Sequence, residues 1–149
     1  MEITWYGHSC FRITERSRIT IVTDPFSDDI GLPPVRVKAD VVTISHQVAG
    51  HNNLEAVRGY NLVIYRPGEY EIGDVFISGV AFDHVKDGEI RHNIGYLFDY
   101  ESLTVLHLGD LNHIPEQSMI ERLGQVHVLM VPVGGGHGLK AAEAAEVVA

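Results

Sequence analysis

His46 and His51 bracket the short segment HQVAGH, which follows directly on the apolar run ADVVTIS at 39–45. A buried strand ending at Ser45-His46, a glycine turn, then His51 opening a helix-like segment would bring two imidazoles together. They would meet at a strand's C-terminal edge, where α/β folds place their chemistry. The chain carries nine histidines and a single cysteine, Cys10. Imidazole and carboxylate, rather than thiolate, are therefore the donors on offer, a set that suits zinc, iron or manganese.

Other strand-like runs end in the same residue types. ITIVT runs into Asp24-Pro25, VVTIS into His46, LTVLHLG into Asp110 and VLMVPVGGG into His137. Buried strands need apolar side chains, while their C-terminal ends open into a crevice where polar groups can be wet and functional. Four such endings on one sheet would converge on one rim. The plainer alternative is that strand ends are polar because they meet loops.

The elements that must position these residues are mostly β. ITWY, CFRIT and ITIVTDP read as an N-terminal meander split at the polar turn ERSR. Residues 27–39 read as a loop, since Pro33-Pro34 forbids regular structure. HNNLEAVRG reads as a short helix closed by Gly59. NLVIY, EYEI and VFISGVAF read as strands, the polar stretch HVKDGEIRHN as a loop, and IGYLFDY and SLTVLHLGD as two more strands. IPEQSMIERLG has Pro115 early and Gly124 at its end, as a helix should. VHVLMVPVGGG is a further buried strand, and LKAAEAAEVVA is helical, with Leu139, Ala142, Ala145 and Val148 at three-residue steps. That last helix reaches Ala149 in mid-pattern, so a C-terminal strand is expected to be missing.

Composition narrows the function classes. A chain of 149 residues with 45% hydrophobic and 21% charged content reads as one soluble globular domain over 1–149. No apolar run approaches the roughly 18–20 residues that span a bilayer. Met1-Glu2 leads straight into a strand rather than a leader. One cysteine makes no internal disulfide, so a reducing, cytoplasmic setting is expected. Eleven basic against 20 acidic residues give a net charge of −9, without the clustered cations that nucleic-acid binding needs.

The segments ITWYGHSCFRI, TDP at 23–25, DVVTISHQVAGHN at 40–52, LHLGDLNH at 106–113 and VLMVPVGGG occur in an order that resembles the metallo-β-lactamase superfamily. Within it, the ascorbate-phosphate-lactonase-like and Zn-dependent hydrolase branch is the most similar. The resemblance implies an αββα sandwich, apparently lacking its C-terminal strand, with a metal site at one edge between two sheets. It implies His46 and His51 as the first and last histidines of an HxHxDH motif in which Val48 and Gly50 replace the second His and the Asp. It further implies His84 as the histidine after the middle strands and Asp110 as the carboxylate that bridges two metals.

The family's full two-metal site uses five His and two Asp; this chain would retain His46, His51, His84 and Asp110. A catalytic zinc needs about three protein ligands and an open water position. One weakly held ion, zinc or else manganese or iron, is thus the expectation, on His46, His84 and Asp110 with His51 nearby. Asp110 and His51 would carry the chemistry, acting on a small phosphorylated, ester or lactone substrate. The competing reading is a non-catalytic member of the fold with a binding or assembly role, and an open sheet edge would favour pairing with a second copy.

Among the remaining candidates, His8 in YGHSCF is expected near the site, in a hydrogen-bonding role more than as a ligand. Asp24 reads as a turn-former before Pro25, and His107 as a satisfied core residue. His92, His113 and His127 read as surface or packing residues. His137 either leans in to replace a lost ligand or faces solvent. Gly134–Gly136 form a plain turn or an anion cradle, and Cys10 is expected to be inert.

Overall fold

The computed structural model describes residues 1–134 and 138–149. Its first half runs β1 (Glu2–Gly7), β2 (Cys10–Thr14), β3 (Ile21–Thr23), β4 (Val37–Lys38), β5 (Val41–Thr43), β6 (Val57–Arg58) and β7 (Leu62–Ile64). Five of these make a sheet in the order β1-β2-β3-β5-β7, antiparallel up to β3 and parallel beyond it. The second half runs β8 (Gly68–Ile72), β9 (Val75–Ala81), β10 (His84–Lys86), β11 (Glu89–Arg91), β12 (Ile94–Asp99), β13 (Thr104–His107), α1 (Gln117–Leu123), β14 (Val128–Met130) and α2 (Ala141–Val148). Here the sheet order is β14-β13-β12-β9-β8, with only the β13–β14 pair parallel.

The two sheets pack face to face. Ile13, Ile21, Val41 and Ile64 of the first meet Val75, Ile77, Tyr96, Phe98, Val105 and Met130 of the second, all buried. Burying a side chain of this size is worth about 1.5–3 kcal/mol, so this layer is the main source of stability. On the outer face of the second sheet, α1 and α2 supply Met119, Leu123, Ala144 and Val147 to Phe82, Leu106 and Leu108. The first sheet's outer face is covered differently. Phe26, Val35, Val37, Ala56 and Val57 close over Val22, Val42 and Ile44 from loops and the small parallel β4–β6 pair.

Two expectations are corrected here. HNNLEAVRG forms a single 3-10 turn at Leu54–Ala56 and then the strand β6, not a helix. Its one β-branched residue, Val57, pairs better than it coils, because it finds Val37 across the β4–β6 ladder. HVKDGEIRHN is not a loop but the β10–β11 hairpin, turning through Asp87 and Gly88, both at positive φ. The meander, the strands on either side of these segments and both C-terminal helices form as expected.

Where the sheets touch at their C-terminal edge, backbone lies almost on backbone. The Ile94 N–H donates to Ser45 O at 2.9 Å, and the Tyr96 hydroxyl reaches Ile44 O at 2.8 Å and Ile64 O at 3.0 Å. Gly109 has φ +64°, and a β-carbon there would stand 2.3 Å from Ser45 Cβ and 2.8 Å from Asn93 Oδ1. Only glycine permits both the conformation and the approach. Gly109→Ala should therefore cost about 2–4 kcal/mol from strain and overpacking together. Gly88→Ala, with nothing within 4 Å of the added carbon, should cost distinctly less. Denaturant unfolding of the two variants compares them directly, and equal losses would refute the close-contact account.

Candidate metal centre at the edge between the sheets

Asp24 ends β3 in the left-handed region, at φ 38°, with its side chain fully buried. A buried carboxylate is tolerated only when its lone pairs are filled. Three donors fill them: the Ser45 N–H at 2.8 Å, the Ser45 hydroxyl, and His51 Nδ1 at 2.8 Å. Because Nδ1–H of His51 is committed to Asp24, Nε2 is the nitrogen left for chemistry. Carboxylate backing of this kind fixes a ring's tautomer and orientation and raises its basicity. Burial alone would lower the His51 pKa, but the hydrogen bond and charge of Asp24, helped by Asp110, outweigh it and raise it.

Asp110 faces this ring from the second sheet. Its Oδ2 lies 3.7 Å from His51 Nε2 and 2.9 Å from His46 Nδ1, and it also receives the Arg91 guanidinium. Asn93 holds it in place, accepting the Asp110 N–H at 2.8 Å while donating to Leu108 O at 2.9 Å. Burial pushes the Asp110 carboxyl up, but the His46 hydrogen bond and the His51 and Arg91 charges hold it below the usual carboxylate range. It is therefore ionised at neutral pH.

His46, His51 and Asp110 thus meet, as expected from their strand ends, although the rim is shared by two sheets rather than belonging to one. His84 lines the same open cleft from β10, but its ring stacks on His113, with centroids 4.5 Å apart. His8 also lines the cleft, its ring 4.7 Å from that of His51. Burial, then the neighbouring His51, lowers its pKa. His137, Gly135 and Gly136 lie outside the described residues.

Two contributors, Arg91 and Asn93, escaped the sequence reading, and the role of a third, Asp24, was read only in part. Asp24 does turn the chain at a strand end, but its carboxylate also orients His51. Arg91 and Asn93 lay in a stretch read as loop, and only the hairpin brings them to Asp110. His107 is buried but half-satisfied. Its Nε2 donates to Ser9 O at 3.0 Å, while Nδ1 has no partner among the described residues. Cys10 is buried, with its thiol pushed up to about 12 by burial and then by Asp24, which agrees with inertness. His92 is a surface residue paired with Asp83, and His127 accepts the Thr104 N–H.

Among the described residues, no three His, Cys, Asp or Glu side chains are drawn in as tightly as a bound ion would draw them. The donor set nevertheless fits one divalent cation in chemistry. A backed imidazole and an ionised carboxylate stand 3.7 Å apart, a spacing compatible with donors at about 2.0–2.2 Å from a shared zinc. Further imidazoles adjoin them. Val48, where the family motif carries its second His, offers no donor atom.

Two outcomes follow. His51→Ala should leave Asp24 buried and short of a partner, costing about 3–5 kcal/mol in chemical denaturation; adding Asp24→Asn should recover part of it. A simple sum of the two losses would contradict the pairing. Burial lowers the His107 pKa below its ordinary 6.5, so the ring stays neutral in the fold while the unfolded chain takes up a proton. That group contributes nothing above pH 6.5 and removes stability as pH falls from 6.5 toward the folded value. The thermal midpoint should drop less between pH 7 and 5 in His107→Gln than in the parent.

Comparison with known proteins agrees with this picture. Residues 2–149 match the family model of the Beta-lactamase superfamily domain. A UPF0173 protein of Pyrococcus abyssi is 28% identical over 172 residues, covering 99% of this chain and 77% of that protein. A UPF0173 metal-dependent hydrolase of Natranaerobius thermophilus is 21% identical over 171 residues, covering 97% and 76%. Among solved structures, a Thermotoga maritima protein assigned as a Zn-dependent hydrolase of the metallo-β-lactamase superfamily superposes with a TM-score of 0.78. It is 43% identical, over 98% of this chain and 68% of that one. A diiron β-hydroxylase from Streptomyces venezuelae, 15% identical over 98% and 42% of the two chains with a TM-score of 0.70, shares the fold alone. The match from end to end, the paired sheets and the histidine–carboxylate edge make this chain a member of the beta-lactamase superfamily, among relatives named as metal-dependent hydrolases.

Proposed function

We propose that this protein is a hydrolase that holds one metal ion, zinc first and manganese or iron as alternatives, and cleaves a small phosphorylated, ester or lactone substrate. The observation that carries the reading is the His51 ring, locked by Asp24 on one nitrogen and facing the ionised Asp110 with the other. His46, His51 and Asp110 would hold the ion, with His84 on the same cleft wall. The chemistry such an ion supplies when bound is a water made acidic near neutrality and a polarised substrate oxygen.

The chain's own residues do the rest. Asp110 is ionised and close enough to His46 and His51 to orient a water and accept its proton. On a chain of net charge −9, the cleft gathers Arg91, Lys86 and Lys140 among its walls. The same walls carry Asp87, Glu89, Asp110 and Glu143, so the cleft is mixed in charge and lends no support to a nucleic-acid backbone as ligand. No described helix is long and apolar enough to cross a membrane.

One observation favours a second reading, a non-catalytic protein that keeps the fold for binding or assembly. The Arg91 guanidinium rests on the Asp110 oxygen an ion would need, so the two cations compete. Calorimetric titration with zinc or manganese separates the readings. The parent should take up close to one equivalent, and both Val48→His and Arg91→Met should bind it several-fold more tightly. Hydrolysis of phosphate-ester and lactone panels should accompany binding in the parent. A parent that stays empty, with binding and turnover arising only in Val48→His, would make the natural chain a pseudoenzyme.

A further inference from the structure

The apolar layer between the sheets does not stop where the sheets part. Along β1 and β2, Ile3 pairs with Ile13 and Trp5 with Phe11. Strand alternation puts all four on one face. Ile13 is buried between the sheets, Ile3 and Phe11 pack against that layer, and Trp5, 64% exposed, carries the row out into the cleft. Its neighbours hold it there. The indole N–H donates to the His8 carbonyl at 3.0 Å, and one side of the ring lies against Phe11, with centroids 6.4 Å apart and planes inclined by 24°. Phe11 in turn meets the buried His107 ring edge-on at 5.8 Å. The indole is therefore fixed in direction while its other face stands open.

Apolar side chains exposed singly are ordinary on a protein surface. Here they gather: Trp5, Val48, Tyr65, Ile90, Ile114 and Val133 are all exposed, and all line the cleft that holds the metal centre. The residue whose carbonyl anchors the indole, His8, has its ring 4.7 Å from that of His51, so a molecule with one end at the centre can reach Trp5 with the other. Charge on the walls is of both signs, so apolar contact is left as the main selector among small molecules. A flat π face held in one orientation favours a flat partner, because offset aromatic stacking adds to the gain from area buried.

We infer that Trp5 is a specificity-determining platform, seating an aromatic ring of the substrate whose hydrolysable group lies at the metal centre. The inference rests on the hydrolase reading above and narrows its substrate class to esters, lactones or phosphoesters that carry an aryl group. Trp5 binds and orients that ring and touches no reacting atom.

Trp5 is the one tryptophan of the chain, so its emission reports on this position alone. Phenylphosphonate and butylphosphonate share an anionic head on an unreactive P–C bond and differ in the flat ring. Each is titrated by calorimetry, in the presence of zinc, into the parent, Trp5→Phe and Trp5→Leu, with thermal unfolding to confirm folding and emission followed in the parent. The parent should bind the phenyl compound about 10-fold more tightly than the butyl one, with a change in Trp5 emission. Trp5→Phe should keep most of that preference and Trp5→Leu should lose it, while both take up zinc as the parent does. Equal binding of the two compounds by the parent, or a phenyl preference undiminished in Trp5→Leu, would overturn the inference and leave the hydrolase reading intact. A dimer in light scattering that comes apart in Trp5→Leu would put a second copy on the indole and overturn it too. A parent that takes up no zinc yet prefers the phenyl compound through Trp5 would sink the hydrolase reading alone; neither zinc uptake nor preference would bring down both.

Discussion

A single buried carboxylate organises this edge of the molecule. Asp24 has no contact with water, and the free energy of an unpaired charge there would be ruinous, so its neighbours are constrained to be donors. Ser45 meets it with backbone and hydroxyl, which pins the end of β5 to the end of β3. His51 meets it with Nδ1, which pins the segment after the turn. The same requirement that keeps the fold intact thus leaves one imidazole nitrogen pointing outward in one orientation. Orientation of a ligand is here a by-product of charge satisfaction in the core.

The second sheet is joined to this arrangement by contacts that only small groups allow. Gly109 lets the backbone before Asp110 approach Ser45, Asn93 ties that backbone on both sides, and Ile94 donates across the gap. Asp110 is consequently held by main-chain geometry as well as by its side-chain bonds to His46 and Arg91. Its ionisation reflects a balance in which burial is overcome by His46, His51 and Arg91. The site is therefore a seam. Each sheet brings one carboxylate, the buried Asp24 that orients His51 and the more accessible Asp110 that faces it.

Much of this was legible in the residues alone. The order of strands, the C-terminal helices, and His46, His51 and Asp110 as neighbours followed from apolar runs that stop at polar donors. What stayed hidden depended on pairing across distance. The 54–58 segment looks helical by composition, yet Val57 finds a parallel partner in Val37. The 84–91 segment looks like loop because it is polar, yet an isolated hairpin needs few buried side chains to close. Asp24 could be read as a turn residue because its partners, Ser45 and His51, are over twenty residues away. The four strand ends seemed to belong to one rim because nothing local distinguishes the edge of one sheet from the facing edge of another.

Arg91 rides on the β10–β11 hairpin, which is hydrogen-bonded into neither five-stranded sheet. The guanidinium paired with Asp110 is therefore borne by an appendage, whereas Asp24 and Ser45, which fix His51, are built into the body. Substitutions confined to the eight-residue hairpin 84–91 alter the charge beside Asp110 while the groups that orient His51 stay in place.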